Sequence, residues 1–289
     1  MTHILNDFIV ALNTSKISAR ELVDDCLAAI DNPEGEGQRT FISTYHDRAQ
    51  QHADLVDQAR KRGWGVPKFA GIPLSIQDLF DEAGCVTKAG STVLRAATPA
   101  IQDASVVARL KAAGFIVIGR TNMTEFAFSG LGTNVHYGTP RSPYERDPKN
   151  PEIGRVAGGS SSGSAVSISD RMAAATIGSD TGGSTRAPAA FCGIVGFKPT
   201  TNRMPSHGIF PLSASFDAAG PMGTTVGCCA ILDSLMAGED GQSVTPFPMN
   251  KLRLAIPIGY LIDDLDDHVA RCFAAAIDAL GAAGAVIED

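Results

Sequence analysis

No stretch of this 289-residue sequence approaches the roughly 18 uninterrupted apolar residues that a membrane span needs. No run of basic residues occurs either. Lys and Arg number 24 against 31 Asp and Glu, a net charge of −7, which is poorly suited to wrapping nucleic acid nonspecifically. The N-terminal MTHILNDFIVALNTS lacks a basic segment followed by an apolar block, so no secretory signal is expected. The six cysteines (Cys26, Cys85, Cys192, Cys228, Cys229 and Cys272) are scattered, with no CxxC pair and no Cys/His cluster at metal spacing. They are expected to be small buried hydrophobes of a reducing cytosol, with neither metal nor cofactor. No internal repeat of fixed period and no disordered tail is evident. What remains is ordinary globular material, 44% hydrophobic and 19% charged, enough for one large domain or two small ones.

Helical and strand patterns alternate along the chain. Ser18-Ala-Arg-Glu21 reads as a capping box opening a helix with Leu22, Val23, Cys26, Leu27 and Ile30 on one face. NPEGEG at 32–37 breaks it. FISTY at 41–45 predicts a short strand and 46–62 a polar-faced helix. FAGIPLSIQDLF at 69–80 predicts a turn and then an apolar strand. A helix over 103–113 stops at Gly114, and FIVIG at 115–119 reads as a buried strand. The order recurs with a strand at 252–257, a helix over 267–283, Gly284, and a buried strand AVIE at 285–288. This alternation predicts an α/β domain, a sheet covered by helices. A strand directly before the last residue, Asp289, leaves a sheet edge there, and the chain is expected to be a fragment of something longer.

AGGSSSGSAV at 157–166 admits several readings. A Gly/Ser linker joins segments that stand apart, but this one leads into apolar AVSIS and AAATIGS. A phosphate-binding loop would need Gly-Lys-Ser/Thr, which is missing. Gly159-Ser-Ser-Ser-Gly163 fits a nucleophile elbow, but that motif follows a buried strand, and NPEIGRVA precedes it here. A second segment, GSDTGGSTRAPAAF at 178–191, is more informative. Two glycines before Ser184 let the backbone approach a ligand closely, and the N–H groups of Thr181, Gly182, Gly183 and Ser184 can converge on one anion. A nucleophilic serine needs a proton acceptor, and no His lies nearby in sequence.

These two segments, with GIPLSIQDLF and GRTNMTEF at 119–126, strongly resemble the amidase signature family, from the N-terminal helix to about residue 225. The resemblance implies an α/β/α sandwich around a large mixed sheet, in a single domain over 1–289 that is expected to lack its C-terminal part. It implies hydrolysis or transfer across carbonyl–nitrogen bonds of a small amide without metal, while the charge, the missing apolar span and the missing signal lead to the expectation of a cytoplasmic protein with neither nucleic acid nor membrane as partner. Ser184 falls on the nucleophile that forms an acyl-enzyme. Ser160 falls on a bridging serine joined to Gly159 by a cis peptide bond. The backbone from Thr181 to Ser184 falls on the oxyanion hole. Asp180 and Arg186 match polar positions beside the nucleophile, as a loop-fixing ion pair or as substrate contacts. Ser162 matches a small residue near the relay or a helix N-cap. Ala127 and Phe128 match the acyl pocket or ordinary core. The same family includes the glutaminase-type subunit of tRNA-dependent amidotransferases, so a partner subunit or a homodimer stays open, as does a non-catalytic amide-binding relative.

One position departs from the family. Its general base is a lysine in G-[IV]-P-x-x-x-K-[DE], and here the pattern reads Gly71-Ile-Pro-Leu-Ser-Ile-Gln77-Asp78. A buried lysine can be neutral and take a proton, whereas an amide nitrogen offers no basic lone pair. Gln77 is expected to hold Ser160 but not to accept the Ser184 proton. An engineered change, a natural loss of catalysis and a decaying gene product all fit the sequence. Lys68 and Lys88 stand near the motif but out of its register.

Overall fold

The computed structural model describes residues 4–147, 150, 153–242, 245–257, 259 and 262–288, so Asp289 lies outside it. The described chain falls into two compact units, Met1–Ser243 and Val244–Asp289.

The first unit is built on six strands: β1 (Phe41–Thr44), β2 (Pro73–Gln77), β3 (Ile116–Thr121), β4 (Ala175–Asp180), β5 (Val195–Gly196) and β6 (Ala218–Gly223). They form one mixed sheet in the order β1-β3-β2-β4-β6-β5. β3, β2 and β4 run parallel at its centre. β1, β6 and β5 add antiparallel pairs towards the edges. Every residue of β2, β3, β4 and β6 is buried. Continuous burial is what a sheet covered on both faces requires.

The helices of this unit are α1 (Leu5–Asn13), α2 (Ala19–Asp31), α3 (Gly37–Thr40), α4 (His46–Lys61), α5 (Ser105–Ala112), α6 (Ser162–Ser169), α7 (Arg186–Cys192) and α8 (Val226–Ala237). The expected capping box is present: Ser18 accepts from Glu21 N–H, and the Glu21 carboxylate accepts from Ser18 N–H. Helix α6 packs on β2, β3 and β4, with Ser75 Oγ 2.8 Å from Ser167 Oγ and Thr121 Oγ1 2.7 Å from Ser164 Oγ. A strand alternates its side chains, so Ser75 and Gln77 of β2 face α6, and Leu74 and Ile76 face the other way into the main apolar core. That core also takes Leu110 of α5 and Ile231, Leu232 and Met236 of α8. Gly163 makes the α6 contact possible. A Cβ there would lie 2.4 Å from Thr40 O and 2.6 Å from Asn122 N, backbone atoms that cannot move aside.

The second unit contains β7 (Arg253–Ala255), α9 (Asp267–Ala282) and β8 (Val286–Glu288), with β7 and β8 paired in parallel. The strand and helix expected here are present, but the expected burial of the last strand is not. Val286 and Glu288 are exposed, because β8 pairs only with β7 in a two-stranded sheet, and α9 lies beside it where Ile287 is half-buried.

Candidate active site

Gln77 ends β2 and is fully buried. Its Oε1 accepts from Ser161 Oγ at 2.8 Å and from Ser179 N–H at 2.8 Å, while its Nε2 meets Met123 Sδ at 3.6 Å. The amide is therefore held with oxygen towards α6 and β4. Close approach depends on Gly178, where a Cβ would lie 2.5 Å from Ser161 Oγ. The sequence motif points to Ser160 as the residue that Gln77 holds, and the structure assigns that contact to Ser161. Three adjacent serines offer three registers, and a helix start rotates each by about 100° from the next, which sequence spacing alone does not resolve.

Ser160 follows a cis peptide bond from Gly159. Its Oγ is buried and has no hydrogen-bond partner among the described residues, so no bond to Ser184 Oγ is formed. The two segments are joined through backbone instead: Ser161 N–H donates to Ser184 C=O at 3.2 Å, and Thr124 N–H donates to Ser160 C=O at 3.0 Å. Ser162 is the first residue of α6, not its cap. Ser161 takes the cap position without a side-chain capping bond, and Ser162 Oγ is also unpartnered among the described residues.

The Ser184 loop is organised by Asp180 at the end of β4. Its carboxylate accepts from Gly183 N–H at 2.8 Å, from Thr185 N–H and Oγ1 at 3.1 and 2.8 Å, and from Arg186 Nε and Nη2 at 3.0 and 2.9 Å. Asp180 and Arg186 thus form the loop-fixing ion pair. The Gly183 N–H points at this carboxylate, so the four N–H groups of Thr181 to Ser184 do not all converge on one anion position. Thr181 Oγ1 reaches across to Asp217 Oδ1 at 2.5 Å. Ser184 itself is 9% exposed, at the rim of the buried cluster.

Burial raises the Asp180 carboxyl, but the bonds from Arg186 and Thr185 outweigh it and hold the group at about 2. Its unfolded value is about 3.9. A lowered folded value means that the stabilisation is complete above the unfolded value and is lost as pH falls through the folded one. The stability difference between wild type and Asp180→Asn is expected to be constant at neutral pH and to shrink between about pH 4 and about pH 2. Urea midpoints across that range measure it, and a difference that stays level down to the lower limit would refute the assignment.

Two cavities adjoin these segments. One of about 520 Å³ is lined by Thr124, Phe126, Phe128, Val135 and Leu212, among others. The other, about 140 Å³, is lined by Ser179, Met204, Ile209 and Asp217, and Pro211 borders both. Phe128 lines the larger cavity and is largely exposed, whereas Ala127 is buried among core residues. Lys88 donates to Ser43 Oγ at 3.1 Å, and Lys68 is exposed above the Phe69 ring. Among the described residues no group of His, Cys, Asp and Glu is arranged to hold a metal, and no helix is long and apolar enough to cross a membrane.

The family model described as Amidase matches residues 21–289. The chain belongs to the amidase family. Among curated proteins it is 38% identical over 234 residues to AtzE, a 1-carboxybiuret hydrolase subunit of Pseudomonas sp. (strain ADP), covering 81% of this chain and 50% of that protein. It is 36% identical over 286 residues to a glutamyl-tRNA(Gln) amidotransferase subunit of Anaeromyxobacter dehalogenans, covering 94% of this chain and 56% of that protein. Among solved structures, a crystal structure of an amidase superposes with a TM-score of 0.86 at 31% identity, covering 99% of this chain and 62% of the other. The mixed sheet with its helices is thus the amidase fold, and the chain spans little more than half the length of the curated amidase relatives it matches.

Proposed function

We propose that this chain carries the serine-relay portion of an amidohydrolase that cleaves the carbon–nitrogen bond of a small linear amide. Ser184 is the nucleophile, Ser160 the bridging serine, and position 77 the seat of the base. The observation that carries this reading is the fully buried Gln77 side chain, fixed against the serine segment by Ser161 and against β4 by Ser179. A hydrophilic side chain is buried there at the end of a central strand, where the family motif places its lysine.

In the reaction, the Ser184 proton passes through Ser160 to the base as Ser184 Oγ bonds to the amide carbonyl carbon. The base then returns the proton to the departing amine, and water hydrolyses the acyl-enzyme. Backbone N–H groups beside Ser184 stabilise the oxyanion. Asp180 and Arg186 shape that loop. Gln77 can complete none of the proton steps, because its carbonyl oxygen is hardly basic. As written the chain is a scaffold that binds amides and turns them over poorly or not at all.

Phe128 belongs to the acyl side of the site and Ala127 supports it. The domain is read as a single amidase-signature domain over 1–289 and its location as cytoplasmic. The two curated relatives named above are themselves called subunits, which supports a partner subunit for this chain. The likeness to the amidotransferase subunit over 94% of the chain favours, as a second reading, a glutaminase-type role within such an assembly.

The test is labelling by a fluorophosphonate probe with mass-spectrometric mapping. Slow modification at Ser184, abolished by Ser184→Ala, is expected. Rapid labelling that survives Ser184→Ala would overturn the assignment. A parallel titration with small amides, followed for both binding and hydrolysis, separates a binding module from an enzyme.

A further inference from the structure

The antiparallel β4–β6 ladder ends on Asp180 paired with Ala218. One step further in the same register, Thr181 stands opposite Asp217, just outside both strands. Their side chains meet there. Thr181 Oγ1 donates to Asp217 Oδ1 at 2.5 Å, within the range of a hydroxyl bound to a carboxylate. The other oxygen, Oδ2, accepts from Leu212 N–H and Ser213 N–H, both at 2.9 Å. The Phe216 and Asp217 N–H groups in turn donate to Ser213 C=O at 2.9 Å. The turn is therefore complete on Oδ2 and the backbone, and Oδ1 is left for the loop that carries Ser184.

That loop has little else to place it. A Cβ built on Gly182 or Gly183 would meet no described heavy atom within 4 Å beyond its chain neighbours, so close packing does not fix this stretch. Hydrogen bonds at its two ends do. Asp180 holds the far end through Gly183, Thr185 and Arg186. Asp217 holds the near end through the Thr181 hydroxyl. With Gly183 N–H turned to Asp180, the mechanism proposed above leaves the Thr181, Gly182 and Ser184 N–H groups for the oxyanion. Such donors act only when aimed at the place where charge develops.

We propose that Asp217 is a positioning residue, which acts through the Thr181 hydroxyl to hold the oxyanion loop against Ser184. This role rests on the reading of Ser184 as the nucleophile. The turn that fixes Asp217 also carries Leu212, which lines the larger cavity, so one carboxylate spans the cavity wall and the oxyanion loop.

Saturation kinetics of fluorophosphonate labelling at Ser184, followed by mass on the full chain, separate reversible probe affinity from the rate of bond formation. Thr181→Val removes the hydroxyl and keeps the side-chain shape. Asp217→Asn keeps an oxygen for the Leu212 and Ser213 N–H groups and takes the anionic acceptor away from Thr181. Each should slow bond formation about tenfold, the weight of one hydrogen bond to a charged group. Reversible affinity should change by less than about twofold, because the bond serves the transition state. Thr181→Ser should recover most of the rate that Thr181→Val loses. The double variant Thr181→Val with Asp217→Asn should be about as slow as either single one, since both cut the same bond. The proposal is overturned if either single variant bonds at the parent rate, if the two effects multiply to about a hundredfold, if Thr181→Ser stays as slow as Thr181→Val, or if the loss lies in reversible affinity alone. An unaltered chain that does not label at Ser184 at all would refute the nucleophile reading, and the role of Asp217 with it. The Thr181 variants leave Asp217 and its turn in place, so that comparison stands whatever Asp217→Asn does to folding.

Discussion

Gln77→Lys is expected to raise the rate of Ser184 acylation by about 10²–10⁴-fold, the range by which general acid–base assistance accelerates such steps. The position is already built for a base. Its side chain is wholly excluded from water at the end of β2. A lysine there loses hydration of its charged form, which lowers its pKa towards the neutral amine that can accept a proton. One hydrogen-bonding group already stands against the new ammonium or amine: Ser161 Oγ, now donating to Gln77 Oε1. In the present arrangement the amide oxygen takes donors from Ser161 and Ser179, and under the proposed mechanism it takes no proton from the serines. The measurement is the second-order rate of fluorophosphonate labelling at Ser184, with initial rates on a panel of aliphatic and aryl amides. Gln77→Met, similar in length and without basicity, is the control and should stay at the starting rate. Equal gains in the lysine and methionine variants would show that relief of a locked amide, not proton transfer, limits the reaction. No gain in the lysine variant, with folding intact, would remove position 77 from the mechanism.

Much of the fold was legible because it rests on local patterns. The capping box at Ser18, the Gly114 stop and the apolar run of β3 each state their structure within a few residues. Helix α1, and strands β4 and β6 with their Ala, Gly and Pro content, were not assigned from sequence. The two strands carry residues of weak strand preference and are placed by burial between neighbours, whereas α1 does show helical spacing in Leu5, Phe8, Ile9 and Leu12. The site divides in the same way. The Ser184 loop and the cis bond at Ser160 are recognisable from motif, but which serine meets Gln77 depends on how α6 starts over β2 and β4. The Gly183 N–H turned towards Asp180 is likewise a property of the closed loop, set by a carboxylate that competes with any oxyanion for the same donor. Ser161 stands between two serines that the motif emphasises, and nothing in the motif distinguishes it.

Asp78→Ala is expected to destabilise the first unit by about 3–5 kcal/mol, the typical cost of leaving one member of a buried ion pair alone. Asp78 follows Gln77 directly and is fully buried, and Arg120 of β3 is 1% exposed. Arg120 Nε donates to Asp78 Oδ1 at 2.7 Å, and its Nη2 donates to Phe80 C=O at 2.8 Å. Asp78 Oδ2 accepts from Gly90 N–H at 3.1 Å, which ties the 88–91 turn to the end of β2. Removing the carboxylate strands a guanidinium in the core, and that group has no route to neutrality because it does not deprotonate in proteins. Against a net domain stability of about 5–15 kcal/mol, the loss is large. The exposed pair between Arg203 and Glu239 provides the contrast, since Glu239→Gln should leave the urea midpoint nearly unchanged. Urea unfolding of Asp78→Ala, and of Asp78→Ala combined with Arg120→Met, separates charge from packing. If the stranded cation is the cause, the double variant recovers a substantial part of the lost stability despite carrying one more substitution. A double variant as unstable as Asp78→Ala would mean that the cost lies in the lost Gly90 tether. In that case the loop behind position 77 owes its placement to single hydrogen bonds and not to the buried pair.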